Sequence, residues 1–258
     1  MRVKTRRRKR NRMVAGGAGT LHRVLNMNNS KLLGAGGYGI TITLPNPKEA
    51  IKLLYSTEEC AALRYEASLQ NKISRILSDI IHVPKVNEVF TYPTTWFSKQ
   101  YLCGIVMERI PLHPDFGEVV HMLFGYNGDD VNKSWGAHTE IPVSSENPTR
   151  GYFASSDMLE AIWEDDGVSY TIESVSRTIG LAYRTLVLNG IIPIDIEWIY
   201  GGDGRIHAID FGLCIEKYIP LERLLTQKGT VGFYGDIYVP KEGDRGYPEF
   251  IQAYLHGK

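Results

Sequence analysis

The sequence predicts an α+β protein in two parts, a β-rich first part and a reduced, mostly helical second part. Three observations carry this expectation. Up to about residue 110 the apolar pattern runs strand, strand, helix, strand, strand. The longest helical period comes later, over residues 172–188. The 258 residues, 43% hydrophobic and 22% charged, suffice for one large domain or for two small lobes sharing a cleft.

The elements follow in order. Residues 1–29 read as a basic, Gly/Asn-rich disordered tail and linker. KLLGAGGYGITITL, from Lys31, alternates like a strand broken by glycines. EAIKLLY (49–55) is the next strand, after the Pro45-Asn46-Pro47 turn. Ser56 and Glu59 form a capping box for a helix with Leu63, Ala67, Gln70, Ile73 and Leu77 on one face, running to about Ile80. VPKVNEVFTY and YLCGIVMERI are two more strands, which complete a first lobe over 30–110.

The second lobe spans 111–258. Its first stretch, 111–154, reads as an insertion with little regular structure of its own. Asp157 with Glu160 caps a short helix, MLEAIWED. A longer helix presents Ile172, Val175, Ile179, Ala182 and Leu186 on one face and stops at Asn189-Gly190. EWIY and RIHAI flank Asp203-Gly204, a strong hairpin signal. The remainder is loop with one terminal helix, PEFIQAYLHG.

Charge is unevenly placed. Residues 1–12 hold eight of the 29 Lys and Arg and no acid, so the rest of the chain is mildly acidic. The folded part therefore does not read as a nucleic-acid-binding domain. The tail suits phosphate backbones, anionic lipid or a nuclear import receptor, or serves only as a solubilising arm. Six basic residues among the seven from Arg6 to Arg12 favour nucleic acid or an import receptor. No apolar run is long enough to span a bilayer, and no apolar stretch of a secretory signal follows the basic run. Cys60, Cys103 and Cys214 are widely spaced and odd in number, so neither a disulfide framework nor a structural zinc is expected. An intracellular, reducing compartment fits them.

Four features carry chemistry. Gly34-Ala35-Gly36-Gly37-Tyr38-Gly39 is a G-x-G-x-x-G between two strands, where backbone N–H groups can approach phosphates at Gly34, Gly36 and Gly39. A flexible hairpin is its plain alternative, and the strand that follows it argues against a dinucleotide fold. Lys52 lies between apolar neighbours on the next strand, placed to meet phosphates or simply to sit on a surface. Glu66, mid-helix with apolar flanks, can hold that lysine as an ion pair. Glu58 and Glu59 compete with it but are explained by capping. Finally, Asp195 follows the long helix, and Asp210-Phe211-Gly212 ends the later hairpin. An acid before Phe-Gly at a strand end suits a metal facing bound phosphates; alone, Asp210 also reads as a turn residue and Asp195 as a loop acid or helix-stop partner.

In this order the four features resemble a two-lobed protein-kinase-like fold with a β-rich N-lobe and a reduced, mostly helical C-lobe. The resemblance covers about Lys31 to Gly232 and includes the strand Ile105-Val106-Met107-Glu108 leading into a hinge. Gly229-Thr230-Val231-Gly232-Phe233 is similar to the turn that closes a kinase activation segment. It implies ATP and Mg2+ as cofactors. Gly34, Gly36, Gly39, Lys52 and Met107 would bind nucleotide, with Asp195, Lys52 and Glu66 catalytic. Asp210 and Glu197 would bind metal.

RGYFASSDMLEAIW and IPIDIEWIYGGDGRIHAIDFGLC are also similar to a kinase-related domain of unknown function best known from fungal proteins. The Arg-rich, Gly-following tail looks like those on proteins of large DNA viruses, which makes a nuclear or virus-associated setting an expectation.

The chain also departs from the family. Of H-R-D-x-x-x-x-N, His and Arg are replaced by Pro193 and Ile194, so control through a phosphorylated activation segment is not expected. Counting forward from Asp195 puts Tyr200 at the Asn position. Anchoring on the following strand instead puts Glu197 there, a hard oxygen ligand suited to magnesium. The segment after Gly232 is too short for the family's last helices, and Val239-Pro240-Lys241-Glu242 is a poor Ala-Pro-Glu. Two functions follow: a divergent ATP/Mg-dependent phosphotransferase of unknown acceptor, or a pseudokinase that keeps the fold as a nucleotide-binding or scaffold module. His113 and His121 lack zinc-ligand spacing with the cysteines and read as structural. Trp163 and Trp198 read as core.

Overall fold

A computed structural model of the chain describes residues 30–35, 39–54, 60–90, 94–96, 99–101, 103–124, 152–226 and 239–257. The basic tail, Gly36, the Ser56–Glu59 capping box, most of the expected insertion and Gly229–Phe233 lie outside them. The architecture is mixed α+β, with strands dominating the first part and helices the second.

The first sheet is antiparallel with strand order β1-β2-β3-β7-β4. These are Leu32–Ala35, Gly39–Thr43, Glu49–Leu54, Cys103–Glu108 and Val86–Phe90, in that spatial order. A small hairpin, β5 (Thr94–Trp96) with β6 (Lys99–Tyr101), lies between β4 and β7 in the chain. Alternation along β3 sorts its side chains. Ala50, Lys52 and Leu54 stand across from Met107, Ile105 and Cys103 of β7, on the face covered by the helix α1 (Cys60–Ile76). Leu54, Leu63, Ala67, Val86, Cys103 and Ile105 close that layer. Gly39 is needed by the sheet itself, because a Cβ there would run into the Leu53 carbonyl oxygen.

Cys60 and Cys103 are joined as a disulfide, a single bond rather than a framework of them. Packing α1 on β7 brings their Cα atoms to 5.7 Å although 43 positions separate them, a proximity that spacing cannot reveal. Cys214 is a buried thiol.

In the second part, β11 (Glu197–Tyr200) and β12 (Ile206–Ile209) form the expected hairpin. Its turn is closed by Gly204 at φ 71°. The expectation of an irregular 111–154 is corrected at both ends. Val120–Met122 (β8) pairs antiparallel with β11, and Tyr152–Ala154 (β9) pairs parallel with β8, giving a sheet of order β12-β11-β8-β9. Strands of three residues show too little alternation to be read locally. A two-stranded ladder joins β10 (Ile191–Ile192) to β13 (Ile215–Glu216).

The helix α2 (Ser156–Asp165) starts behind Ser155, not at an Asp157–Glu160 cap. Glu160 instead accepts the Ile172 backbone N–H and pairs with Arg245, which also reaches Glu173. Helix α3 (Ile172–Leu188) carries a reciprocal cap between Thr171 and Ser174. It ends at Asn189, followed by Gly190 at φ 72°. After the short α4 (Leu221–Thr226), α5 (Tyr247–His256) packs against α3. Gly180 permits the approach, since a Cβ there would meet the Phe250 carbonyl oxygen. Arg184 of α3 caps the far end through the Tyr254 and Leu255 carbonyls. Trp163, Trp198, Tyr183, Tyr200, Phe211 and Phe250 fill the core between these helices and the sheet.

The two parts meet beside the β7 end. His82, just after α1, bridges to His207 of β12: its carbonyl accepts the Ala208 N–H, and the two Nδ1 atoms stand 2.8 Å apart. Glu108 of β7 faces His82 and Asp203 faces His207, at 3.3 and 2.9 Å. Among the described residues no helix is long and apolar enough to cross a membrane.

Candidate functional site

Three separate elements deliver charged groups to one point. Lys52 comes from the middle of β3, where antiparallel partners on both sides fix its direction. Its Nζ donates to Glu66 Oε1 of α1 at 2.7 Å and to Asp210 Oδ1 at 3.3 Å. Glu66 is the rare buried acid of the helix face, 7% exposed, whereas the Asp210 side chain is 48% exposed. Burial pulls the Lys52 ammonium down, but Asp210 and Glu66 overcome it and hold the lysine well above its ordinary range. Burial pushes the Glu66 carboxyl upward, with Lys52 pulling back and Asp210 adding to the rise. A single cation is thus bracketed by one buried and one open carboxylate.

Asp195 and Asp210 share a backbone feature. At φ 55° and 58° they are the only non-glycine residues in the left-handed region among those described. Aspartate tolerates this conformation, but at a cost of about 1 kcal/mol each. Flanking structure imposes it. Ile194 and Ile196 pack into the core on either side of Asp195, and Phe211 is fully buried after Asp210. Both acids remain exposed. Desolvation, Glu197 and then Asp210 push the Asp195 carboxyl upward, so three acids share one neighbourhood. Gly212 lies against the same group: a Cβ there would stand in ordinary contact with Glu66 Oε2 and Asp210 Oδ1, at 3.4 and 3.6 Å.

The remaining expected site residues divide. Gly34 has nothing within 4 Å of a Cβ position, leaving space beside the first turn, while Gly36 lies outside the described residues. Gly39 has the sheet requirement already described. Met107 faces the helix side of the sheet, its sulfur 4.0 Å from Gln70 Nε2. Glu197 stands at the start of β11, with Oε2 3.1 Å from His121 Nδ1. Tyr200 is wholly buried at the other end of that strand and donates to Asp166 Oδ2 at 2.6 Å. Burial and Asp166 raise its pKa, so it stays a donor rather than a metal ligand.

Asp166 also receives His113 Nε2 at 3.0 Å, and His113 Nδ1 accepts the Asp115 N–H at 3.3 Å. His113, Asp115 and Asp166 are close enough for one metal ion. Both nitrogens of the buried His113 are already engaged, however, and Tyr200 occupies the shared Asp166 oxygen. His121 is different: the sequence implies a structural role, and nothing local ties it to Glu197. Only β8–β11 pairing places it there.

No protein-family model matches the chain, and no curated protein matches it.

Proposed function

We propose that the chain belongs to the class of phosphate-handling proteins that grip a nucleotide between a glycine-rich strand turn and a pair of acids. More particularly, it is a divergent protein-kinase-like, ATP- and Mg2+-dependent phosphotransferase with an unidentified acceptor. The observation that carries this is the Lys52 ammonium held between Glu66 and Asp210 by a strand, a helix and a post-hairpin loop. The β11–β12 hairpin supports it, because pairing of Glu197 with Ile209 puts Asp195 just before one of its strands and Asp210 just after the other.

The donor set fits a hard divalent ion: Asp210 and Glu197 offer exposed or half-buried carboxylates beside Asp195. These two would hold Mg2+, which when bound neutralises phosphate charge. Lys52 would bind phosphate oxygens, with Glu66 fixing its direction and the amides near Gly34 and Gly36 approaching the same group. Gly39 and Met107 would border the nucleotide. Asp195 would accept the acceptor hydroxyl's proton. Positioning and charge stabilisation do most of the work in such a reaction. The basic tail would add a separate contact with nucleic acid or an import receptor.

A second reading, a pseudokinase, is favoured by the burial of Tyr200, which leaves no amide ligand at that position. Thermal-shift titration with ATP, with and without Mg2+, tests both on wild type and Asp210→Ala. Ligand at about 100 times its Kd adds roughly 2.7 kcal/mol to the folded state. A Mg2+-dependent shift lost in Asp210→Ala is expected. No shift at millimolar ATP overturns the nucleotide cleft.

A further inference from the structure

We infer that His82 and His207 form a proton-operated latch between the two parts of the molecule, closed by one proton on the pair and opened by a second. His82 lies in the connection from α1 to β4, and His207 lies on β12. Their Nδ1 atoms are hydrogen-bonded at 2.8 Å, with the rings edge to face at 87°. The outer nitrogens face acids. His207 Nε2 is 2.9 Å from Asp203 Oδ1, and His82 Nε2 is 3.3 Å from Glu108 Oε2. An ionised carboxylate can only accept. Each contact in the row Glu108, His82, His207, Asp203 therefore needs a ring proton, whereas two neutral imidazoles supply one fewer than the three contacts require.

One added proton completes the row. Without it, a bare ring nitrogen faces a carboxylate or another bare nitrogen. With a second, two Nδ1–H groups are set against each other at the same 2.8 Å. His207 has little room to turn: its side chain is 2% exposed, and a Cβ on Gly201 would stand 2.8 Å from both its Nε2 and Asp203 Oδ1. His82, 33% exposed, is the ring free to swing away. The acids are fixed independently, Asp203 by the Arg205 N–H and Glu108 by the Lys85 N–H. Asp203, His82 and Glu108 are the charged groups acting on His207, and Ile199 stands between it and His121 of β8. Burial pulls His207 below its ordinary value, with Asp203 pulling back and His82 adding to the fall. Both steps belong to the pair rather than to either ring. The latch joins the helix that carries Glu66 to the strand that leads into Asp210, and it is independent of what the Lys52 site binds.

The test is a pH titration of the full chain from about pH 8.5 to about pH 5, followed by NMR with 15N in the backbone and the histidine rings. Ring shifts count the protons on the pair, with His82→Gln identifying the resonances. The Ala208 amide, which donates to the His82 carbonyl at 3.0 Å, reports opening through its hydrogen exchange. The Ile179 amide within α3 reports unfolding of the whole chain. Two protonation steps more than about one pH unit apart are expected. Scalar coupling between the two Nδ1 atoms should be present between the steps and lost below the second. Below that step Ala208, corrected for the chemical exchange rate, should exchange at least about tenfold faster while Ile179 is unchanged. In His82→Gln the amide can donate to a neutral His207 and accept from a protonated one, so the acid acceleration should vanish.

A single shared step overturns the latch, as does Ala208 protection that does not change with pH. Acceleration that survives in His82→Gln also overturns it, because the titrating group would then lie elsewhere. Ile179 accelerating equally with Ala208 does the same, since acid would be unfolding the whole chain. If His82→Gln does not fold, the wild-type steps and the Ala208 and Ile179 amides decide the question alone.

Discussion

The lysine side and the acid side of the Lys52–Asp210 contact are held by different means. Lys52 and Glu66 sit within regular elements, a fully paired strand and a long helix, and each helps fix the other. Asp195 and Asp210 sit on left-handed loop positions, open to solvent, with their direction set by buried neighbours on either side. The cation side is stabilised by its own contacts. The acid side is strained and depends on the core beneath it. Exposed acids on loop positions have few contacts of their own to direct them, so the surrounding fold must position them.

The largest way to break this contrast is Trp198→Ala, which removes a fully buried side chain from the strand joining the two acid loops. A loss of about 4 kcal/mol in urea unfolding is expected. A loss below about 1 kcal/mol would mean that the acid side does not rest on this core.

Lys52→Met tests the cation side. Removing the ammonium leaves Glu66 buried beside Asp210, and the expected cost at pH 8 is about 2–3 kcal/mol. In the variant the folded Glu66 binds its proton more tightly than the unfolded chain does. Stability therefore falls as pH rises, and the deficit should shrink when unfolding is measured at pH 5. A deficit independent of pH would show that packing, not charge, is lost.

Backbone strain is separated from charge by comparing Asp210→Gly with Asp210→Ala. Both lose the carboxylate, but glycine takes φ 58° freely. The glycine variant should be the more stable by about 1 kcal/mol in thermal unfolding, and equal stabilities would remove the strain argument.

The smallest effect carries the opposite sign. Asp195→Asn relieves an acid whose folded-state pKa is raised by desolvation, Glu197 and Asp210. With the pKa raised on folding, the group's contribution is full below the ordinary aspartate value and is lost as pH rises through the folded value, leaving a cost at neutral pH. Because Asp195 is solvent-exposed, the gain should be only a few tenths of a kcal/mol, visible as a slightly higher Tm at pH 7 and none at pH 3. Lower stability at pH 7 would show that the carboxylate is held by favourable contacts instead.

Much of this molecule follows from local pattern. The helical period over 172–188, the Asn189-Gly190 stop and the Asp203-Gly204 turn are short-range signals, and the structure has each element where the residues put it. Lys52 and Glu66 were marked by their positions on a strand and on a helix face. Their meeting needed only that the helix return across the sheet. The strands at 120–122 and 152–154 were illegible because three residues carry no period and their partners lie far along the chain. Spacing likewise concealed the Cys60–Cys103 bond.

By itself the sequence determined the α+β class, the element order over most of the described chain, and which lysine and helix acid stand on facing elements. Periodicity, capping and turn residues act over a few positions, so the chain spells them out. Only the tertiary structure decided that Tyr200 turns inward to Asp166 while Glu197 faces His121 across β8. Those outcomes depend on which strands pair and in what register. A one-residue difference in register would have exchanged the buried face with the one that carries Glu197 and His121.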